Sequence, residues 1–164
     1  MGVFAKLGEA EEFKDGIYFE PGKYLLKINR MKINQDRKKV DQFIAEFLIV
    51  ESTSAKRPVG TTVDFLIKAT NDYFFRNVKG LLRVAYTALA KENDIEPPAF
   101  DTWTSQEQIK KEWEKLADDA VASDSPLVGV TIAAHAYTHT TQKEKEITRV
   151  KFHMPDEEAD EVAA

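Results

Sequence analysis

Apolar and polar residues alternate along two neighbouring runs of the chain, and this pattern predicts the first two strands of a sheet. Residues 24–33 follow Pro21 and Gly22 and carry a cation at every second or third position among apolar residues. Residues 40–50 are rich in β-branched and aromatic side chains, which are typical of strands. The residues between the two runs, 34–39, form a short basic loop, so the sequence predicts a hairpin.

The remaining periodicity predicts three more strands. Residues 61–69 alternate with a period of two and form the predicted third strand. Residues 127–140 and 146–154 show the same alternation and form the predicted fourth and fifth strands.

Two helices are predicted between the third and fourth strands. Residues 71–123 have apolar positions at helical spacings of three and four. Thr70 or Asn71 is expected to cap the first helix, and the second is expected to begin near Thr104 or Ser105.

Three strands, a helical insertion and two further strands follow one another in the order found in OB-folds. The predicted fold is therefore mainly β with an α insertion, of the α+β class: a five-stranded OB-fold Greek-key barrel with two helices between strands three and four. Residues 1–20 are interpreted as an N-terminal arm, residues 21–154 as the barrel domain with its insertion at 71–123, and residues 155–164 as an acidic tail. The tail has no apolar run that could pack, so it is expected to be disordered.

Length and composition limit the classes of protein to which the chain can belong. A chain of 164 residues with 43% hydrophobic residues fits one domain with a sizeable core. The sequence has no cysteine, which excludes disulfides, thiolate metal sites and cysteine nucleophiles. No apolar run reaches about 18 residues, and the amino terminus lacks the features of a signal peptide. A soluble, cytoplasmic protein without a membrane partner is expected.

The net charge of −5 conceals a strong segregation of charge along the chain. Residues 21–87 carry 13 Lys and Arg against 6 Asp and Glu, and residues 125–153 carry 4 against 2. Residues 101–124 carry 3 against 7, and the last 11 residues carry 5 acids and no base. A basic sheet beside acidic helices and an acidic tail favours a polyanionic partner for the sheet alone.

Candidate binding residues follow from the predicted fold and from the positions of the cations. OB-folds bind oligonucleotides across strands two and three, together with the loops between strands one and two and between strands four and five. Both loops contain cations here, and cations on such a sheet can contact phosphates while aromatic rings stack bases. The predicted single-stranded DNA-binding residues are Lys23, Lys27, Arg30, Lys32, Arg37, Lys38, Lys39, Lys68, Tyr137, His139, Lys143, Lys145, Arg149 and Lys151.

Tyr137 is the favoured stacking residue, because it alternates with the apolar side of strand four and lies between His135 and His139. Four other aromatic residues fit either base stacking or a place in the core: Tyr24, Phe43, Phe47 and Phe65.

Three short segments, residues 21–28 (PGKYLLKI), 60–63 (GTTV) and 77–82 (NVKGLL), resemble a family of small phage-encoded OB-fold proteins. The resemblance covers residues 17–90 and the acidic tail. Members of this family bind single-stranded DNA in replication and recombination modules, so the resemblance implies sequence-independent DNA binding in the cytoplasm of the host cell. It also implies that the tail recruits replication or recombination proteins through Asp156, Glu157, Glu158, Asp160 and Glu161.

No residue pattern predicts an enzyme, a cofactor or a metal site. His135 and His139 are four residues apart, which on a strand is about 13 Å and too far for one ion. Asp64 and Asp72 fit either a carboxylate pair or, more simply, a surface residue and a helix cap. A metal-dependent nuclease is therefore disfavoured. The alternative function is a phage protein-interaction or structural module on the same OB-like barrel, which would need neither segregated charge nor two basic loops.

Overall fold

Residues 17–156 are described by the computed structural model, and they form five strands and two helices. Each element lies close to the segment whose periodicity predicts it. The strands are β1 (Gly22–Gln35), β2 (Asp41–Ser52), β3 (Thr62–Lys68), β4 (Thr131–Thr140) and β5 (Glu146–His153), and the helices are α1 (Phe74–Glu92) and α2 (Gln106–Val121).

All five strands pair antiparallel in one sheet, in the order β3-β2-β1-β4-β5. β1 is the central strand, because it pairs with β2 on one side and with β4 on the other. The predicted α+β class, with five strands and with two helices between β3 and β4, is confirmed. The closed Greek-key barrel is not confirmed, since β3 and β5 are the two edges of the sheet and no backbone ladder joins them within residues 17–156.

A β-bulge in β1 decides which face of the sheet its cations occupy. The register against β2 shifts at Asn29, which is the extra residue of the bulge. Lys27 points away from the core before the shift, and Met31 is buried after it. Arg30 and Lys32 therefore face outward, on the same side as Lys27. Strict alternation would have turned both charges into the core, where an unpaired cation is very costly.

α1 packs its apolar side against the inner face of the sheet and holds α2 in place. Leu81 and Leu82 of α1 are fully buried. The Tyr86 hydroxyl donates a hydrogen bond to the Leu116 carbonyl of α2 at 2.6 Å. Burial, and secondarily the charge of Asp119, raises the pKa of Tyr86 to about 12, so the phenol keeps its proton and remains a donor. Neither helix of the described part of the chain is long and apolar enough to cross a membrane.

The hydrogen bonds at the start of each helix show whether the predicted N-cap residues cap it. Ser105 caps α2 by accepting a hydrogen bond from the Gln108 backbone N–H at 3.1 Å, as predicted. α1 begins after Tyr73, which makes no side-chain capping bond, so the prediction that Thr70 or Asn71 caps it is wrong. Asn71 accepts a hydrogen bond from the Tyr73 backbone N–H at 2.8 Å instead, and shapes the turn before the helix.

β4 begins at Thr131, later than the predicted residue 127, because the preceding residues form a turn. The Leu127 backbone N–H donates a hydrogen bond to Ser125 Oγ at 3.2 Å. Gly129 has a φ of 87°, a left-handed conformation that glycine adopts without a steric penalty. Its N–H donates a hydrogen bond to the Ile28 carbonyl at 2.7 Å, which holds this turn against the bulge of β1.

The core includes the end of the predicted N-terminal arm. Phe19 is 6% exposed, and its ring lies 5.1 Å from Tyr24, 6.1 Å from Phe47 and 6.2 Å from Phe152, measured between centroids. Tyr24, Phe43 and Phe47, three of the aromatic residues that fit either base stacking or the core, are core residues. The rest of the predicted arm lies outside the described residues.

Candidate nucleic-acid interface

The outward face of β1, β4 and β5 carries a row of cationic side chains that only strand pairing brings together. Lys23 of β1 lies opposite His135 of β4, and His135 lies opposite Lys151 of β5. Two residues further along, Tyr137 lies opposite Arg149. Neighbouring strands are about 4.8 Å apart, so these groups form one patch. We define the cationic face by its outward residues Lys23, Lys27, His135, Tyr137, Arg149, Lys151 and His153.

The strands β1, β4 and β5 contribute no carboxylate of their own to the cationic face, and Glu51 of β2 lies beside it, opposite Leu25 of β1. The outward positions within residues 23–27, 131–139 and 147–153 include no Asp or Glu. The exposed cations of this face are Lys23, Lys27, Arg149 and Lys151. A polyanion that lies across β1, β4 and β5 therefore meets more cations than carboxylates.

His135 is half-buried at the centre of the cationic face, and the charges around it control its protonation. Burial lowers the pKa of His135, and the positive charges of Lys23, His153 and Lys151 lower it further. Its Nδ1 atom is buried and has no hydrogen-bond partner within the described part of the chain. At neutral pH the imidazole is therefore uncharged, and an anion bound nearby would favour its protonation.

The outward face of β1, β2 and β3 mixes positive and negative charge. Arg30 lies opposite Glu46, and Glu46 lies opposite Asp64. The Asn29 side-chain amide donates a hydrogen bond to Glu46 Oε1 at 3.3 Å. Burial raises the pKa of Asp64, and the neighbouring Glu46 carboxylate raises it further. Two adjacent carboxylates make this half of the sheet less suited to a polyanion than the cationic face.

Asp36 shapes the loop between β1 and β2, which presents three exposed cations. Its Oδ1 atom accepts hydrogen bonds from the backbone N–H groups of Lys38 at 2.8 Å and Val40 at 3.0 Å, and Lys68 Nζ lies 3.0 Å from its Oδ2 atom. The bond from Val40, followed by that from Lys68, lowers the pKa of Asp36. Lys68 is thus paired with this loop, whose exposed cations are Arg37, Lys38 and Lys39.

The second predicted basic loop, residues 141–145 between β4 and β5, carries a net charge of only +1, and Glu146 at the start of β5 offsets it. Lys143 and Lys145 are exposed but alternate with two glutamates. Gly22, the first residue of β1, pairs with Ala136 of β4. β4 continues beyond this pair to Thr140, where the loop to β5 begins. The two basic loops therefore lie beyond opposite ends of β1.

Of the five acidic residues assigned to the tail, only Asp156 lies within the described residues. Its carboxylate forms an ion pair with Lys91 near the end of α1, and this contact lowers the pKa of Asp156. The first tail carboxylate is therefore held beside α1. The other four, Glu157, Glu158, Asp160 and Glu161, lie outside the described residues.

A cleft of 710 Å³ separates the edge strands β3 and β5, and no sequence pattern predicts it. The rings of Phe65 on β3 and Phe152 on β5 meet between these strands, with centroids 5.2 Å apart. Tyr137 and Arg149 line the cleft and also belong to the cationic face, so the two surfaces are continuous. The aromatic and cationic residues that line it are Tyr18, Phe19, Phe65, Tyr73, Arg76, Tyr137 and Arg149.

No protein-family model matches the chain, and neither does any curated protein. The assignment of function therefore depends on the geometry and the charge of this surface. Within residues 17–156, no group of three or more His, Cys, Asp or Glu side chains could hold a metal ion.

The structure groups some of the predicted DNA-binding residues and separates others. On the cationic face lie Lys23, Lys27, Tyr137, Arg149 and Lys151, and His139 lies further along β4, opposite Ile147. On the mixed half lie Arg30 and Lys32, while the loops hold Arg37, Lys38, Lys39, Lys143 and Lys145, and Lys68 ends β3.

Three residues of this surface, His135, His153 and Arg76, are not among the predicted DNA-binding residues. The alternation of β5 was a signal for His153, which shares its face with Arg149 and Lys151. Arg76 reaches the cleft through the docking of α1, for which no local pattern exists.

Proposed function

We propose that the protein binds single-stranded DNA on the cationic face, without regard to sequence. The observation that carries this proposal is the row of Lys23, His135 and Lys151, continued by Arg149, on three strands that contribute no outward carboxylate of their own. Lysine and arginine contact phosphates in the same way whatever the base, so such an interface does not read sequence. Tyr137 lies beside Arg149 and can stack a base, which requires that the base is unpaired.

The role proposed for this binding is the protection of single-stranded DNA during phage replication or recombination. The resemblance of residues 17–90 to phage single-stranded DNA-binding proteins supports this role, as does an acidic tail that would recruit partner proteins. In the same proposal, the sheet curls into an OB-like barrel. The strand order and the contact between Phe65 and Phe152 across the two edge strands support that curvature.

Titration of labelled oligo-dT, duplex DNA and RNA, followed by fluorescence anisotropy, tests the proposed function. We expect tight binding of oligo-dT and weak binding of duplex. Contacts with about five phosphates should give a log-log salt slope of about −3.5, because each neutralised phosphate contributes about −0.7 on a single strand. A salt-independent affinity, or equal affinity for duplex, would contradict the proposal. If no oligonucleotide binds, a protein-interaction module on the same fold becomes the better interpretation.

Binding should also become tighter as the pH falls from about 7.5 to 5.5. The pKa of His135 is lowered in the free protein, and phosphates beside it would raise that pKa, so the complex binds more protons than the free protein. Each unit by which the pKa rises strengthens binding about tenfold at low pH.

We expect His135→Gln to remove most of this pH dependence. His139→Gln should retain it, because His139 lies opposite Ile147 and not between two lysines. If His135→Gln has the same pH profile as the unaltered protein, the bound strand does not lie beside the row of Lys23, His135 and Lys151.

A further inference from the structure

The cleft between β3 and β5 has the chemistry of a nucleotide-binding site. The Tyr18 and Tyr73 side chains at its rim are 47% and 51% exposed, so two large rings face solvent beside an open space of 710 Å³. Arg76 lies with its guanidinium carbon 5.6 Å from the centroid of the Tyr73 ring. Aromatic rings beside arginine guanidinium groups are the combination that holds unpaired bases and their phosphates.

The backbones of the two rim tyrosines are held in place by specific hydrogen bonds. The Tyr73 backbone is anchored on both sides, because Asn71 Oδ1 accepts a hydrogen bond from its N–H at 2.8 Å and Asn77 Nδ2 donates one to its carbonyl at 2.9 Å. Tyr18 bridges to β3 at Asp64, and the Arg57 Nε–H donates a hydrogen bond to the Tyr18 carbonyl at 2.7 Å. Because the two backbones are fixed, only the side chains of these tyrosines have to be ordered when a planar ligand binds.

The remaining polar groups of the cleft suit the edge and the phosphate of a nucleotide. Asp64 lines the cleft, and its carboxylate can accept hydrogen bonds from the N–H groups of a base edge. Arg149 lies on the β5 side and Arg76 on the α1 side, so a phosphate on either side of the base has a guanidinium partner.

The cleft also lies where the proposed DNA path ends. Tyr137 and Arg149 line the cleft and form a cross-strand pair of the cationic face, next to the row of His135 and Lys151. A strand that follows the cations across β4 and β5 therefore arrives at the opening of the cleft.

We propose that this cleft binds one unstacked nucleobase together with its phosphate, between the rings of Tyr18 and Tyr73 and the guanidinium groups of Arg76 and Arg149. This inference rests on the proposed function for the rest of the strand. The ligand chemistry is that of a nucleotide, which is supplied either by a base of the bound strand or by a free nucleotide.

Paired variants test the cleft. Tyr73→Ala is expected to weaken oligo-dT binding about tenfold, within the range for the loss of one stacking ring. Arg76→Gln should weaken it several-fold and flatten the salt slope by about 0.7. The matched controls are Phe75→Ala and Lys111→Gln, which remove an exposed ring and an exposed cation outside the cleft and should bind as the unaltered protein does. Circular dichroism confirms that each variant is folded.

A single 2-aminopurine in an oligo-dT reports base insertion directly. Binding without regard to sequence leaves the register of the strand free, so the size of the fluorescence change is measured and not its position. Binding to the unaltered protein should change the fluorescence, Tyr73→Ala should reduce that change, and Phe75→Ala should retain it. Titration with dTMP alone separates the two sources: Tyr73-dependent binding assigns the cleft to free nucleotides as well, and binding only within an oligomer assigns it to the strand.

The outcomes separate this inference from the proposed function. If oligo-dT does not bind the unaltered protein at all, the proposed function fails. If it binds with the expected salt slope, but Tyr73→Ala and Arg76→Gln match their controls in affinity and Tyr73→Ala retains the full 2-aminopurine fluorescence change, the cleft inference alone is overturned.

Discussion

Replacing Lys23, Arg149 and Lys151 together by alanine should weaken the binding of single-stranded oligonucleotides on the order of 100-fold at low salt. Each of these side chains is a cation of the cationic face, and loss of one phosphate contact at an exposed site costs about 1 kcal/mol. The salt slope should become less steep by about 2, because three phosphates are no longer neutralised. Anisotropy titrations at several salt concentrations measure both quantities.

A triple variant with the same change of net charge provides the control. Lys110, Lys111 and Lys115 are exposed on α2, so their replacement by alanine alters the total charge equally without touching the cationic face. We expect that control to bind nearly as tightly as the unaltered protein. Equal losses in the two triple variants would show that net charge, and not this surface, governs binding.

Replacing Phe19 by alanine should lower the free energy of unfolding by about 3 kcal/mol, the typical cost of truncating a buried phenylalanine. Phe19 is 6% exposed and packs against Tyr24, Phe47 and Phe152, which belong to three different strands. For a chain of this size the melting temperature should fall by roughly 6–12 °C. Chemical and thermal denaturation followed by circular dichroism give these values.

Ile17→Ala is the matched control for this prediction, because Ile17 is two residues away but 48% exposed. Its truncation should change the unfolding free energy by less than about 0.5 kcal/mol. If Phe19→Ala lowers the free energy of unfolding no more than Ile17→Ala does, the end of the predicted arm does not contribute to the stability of the core.

Local signals in the chain were sufficient for most of the elements. The period of two in β3 places Val63 and Ile67 in the core and leaves Lys68 exposed, as alternation predicts. Ser105 caps α2 because a serine hydroxyl directly before an amphipathic run satisfies an otherwise unpaired backbone N–H. Such signals involve residues only a few positions apart, so sequence spacing alone reveals them.

Local signals failed where a distant contact decides the conformation. β4 begins later than its alternation suggests, because Gly129 donates a hydrogen bond to Ile28 of β1 and keeps the preceding residues in a turn. α1 has no polar side-chain cap, and Asn71 instead bonds the turn before it. The start of β4 is set by packing against another element, which sequence spacing cannot report. At α1 the failure is local, because Asn71 bonds a backbone N–H two residues away in a turn and not at the helix start.

In the candidate site, too, the sequence alone reveals some features and only the tertiary structure reveals the others. The sequence alone reveals that the strand segments are basic, that the acids gather in α2 and the tail, and that Arg149 and Lys151 share one face of β5. Composition and period depend only on neighbours along the chain, so these features need no tertiary information.

Tertiary structure alone decided which cations meet. The bulge at Asn29 turns Arg30 to the side of Lys27, and there the pairing of β2 and β3 sets Glu46 and Asp64 beside it. The pairing of β1, β4 and β5 joins Lys23 to residues more than a hundred positions away, and the docking of α1 brings Tyr73 and Arg76 to the cleft. The physical reason is that strand register and helix docking depend on contacts between distant segments, and a shift of one residue in any strand would send its side chains to the opposite face.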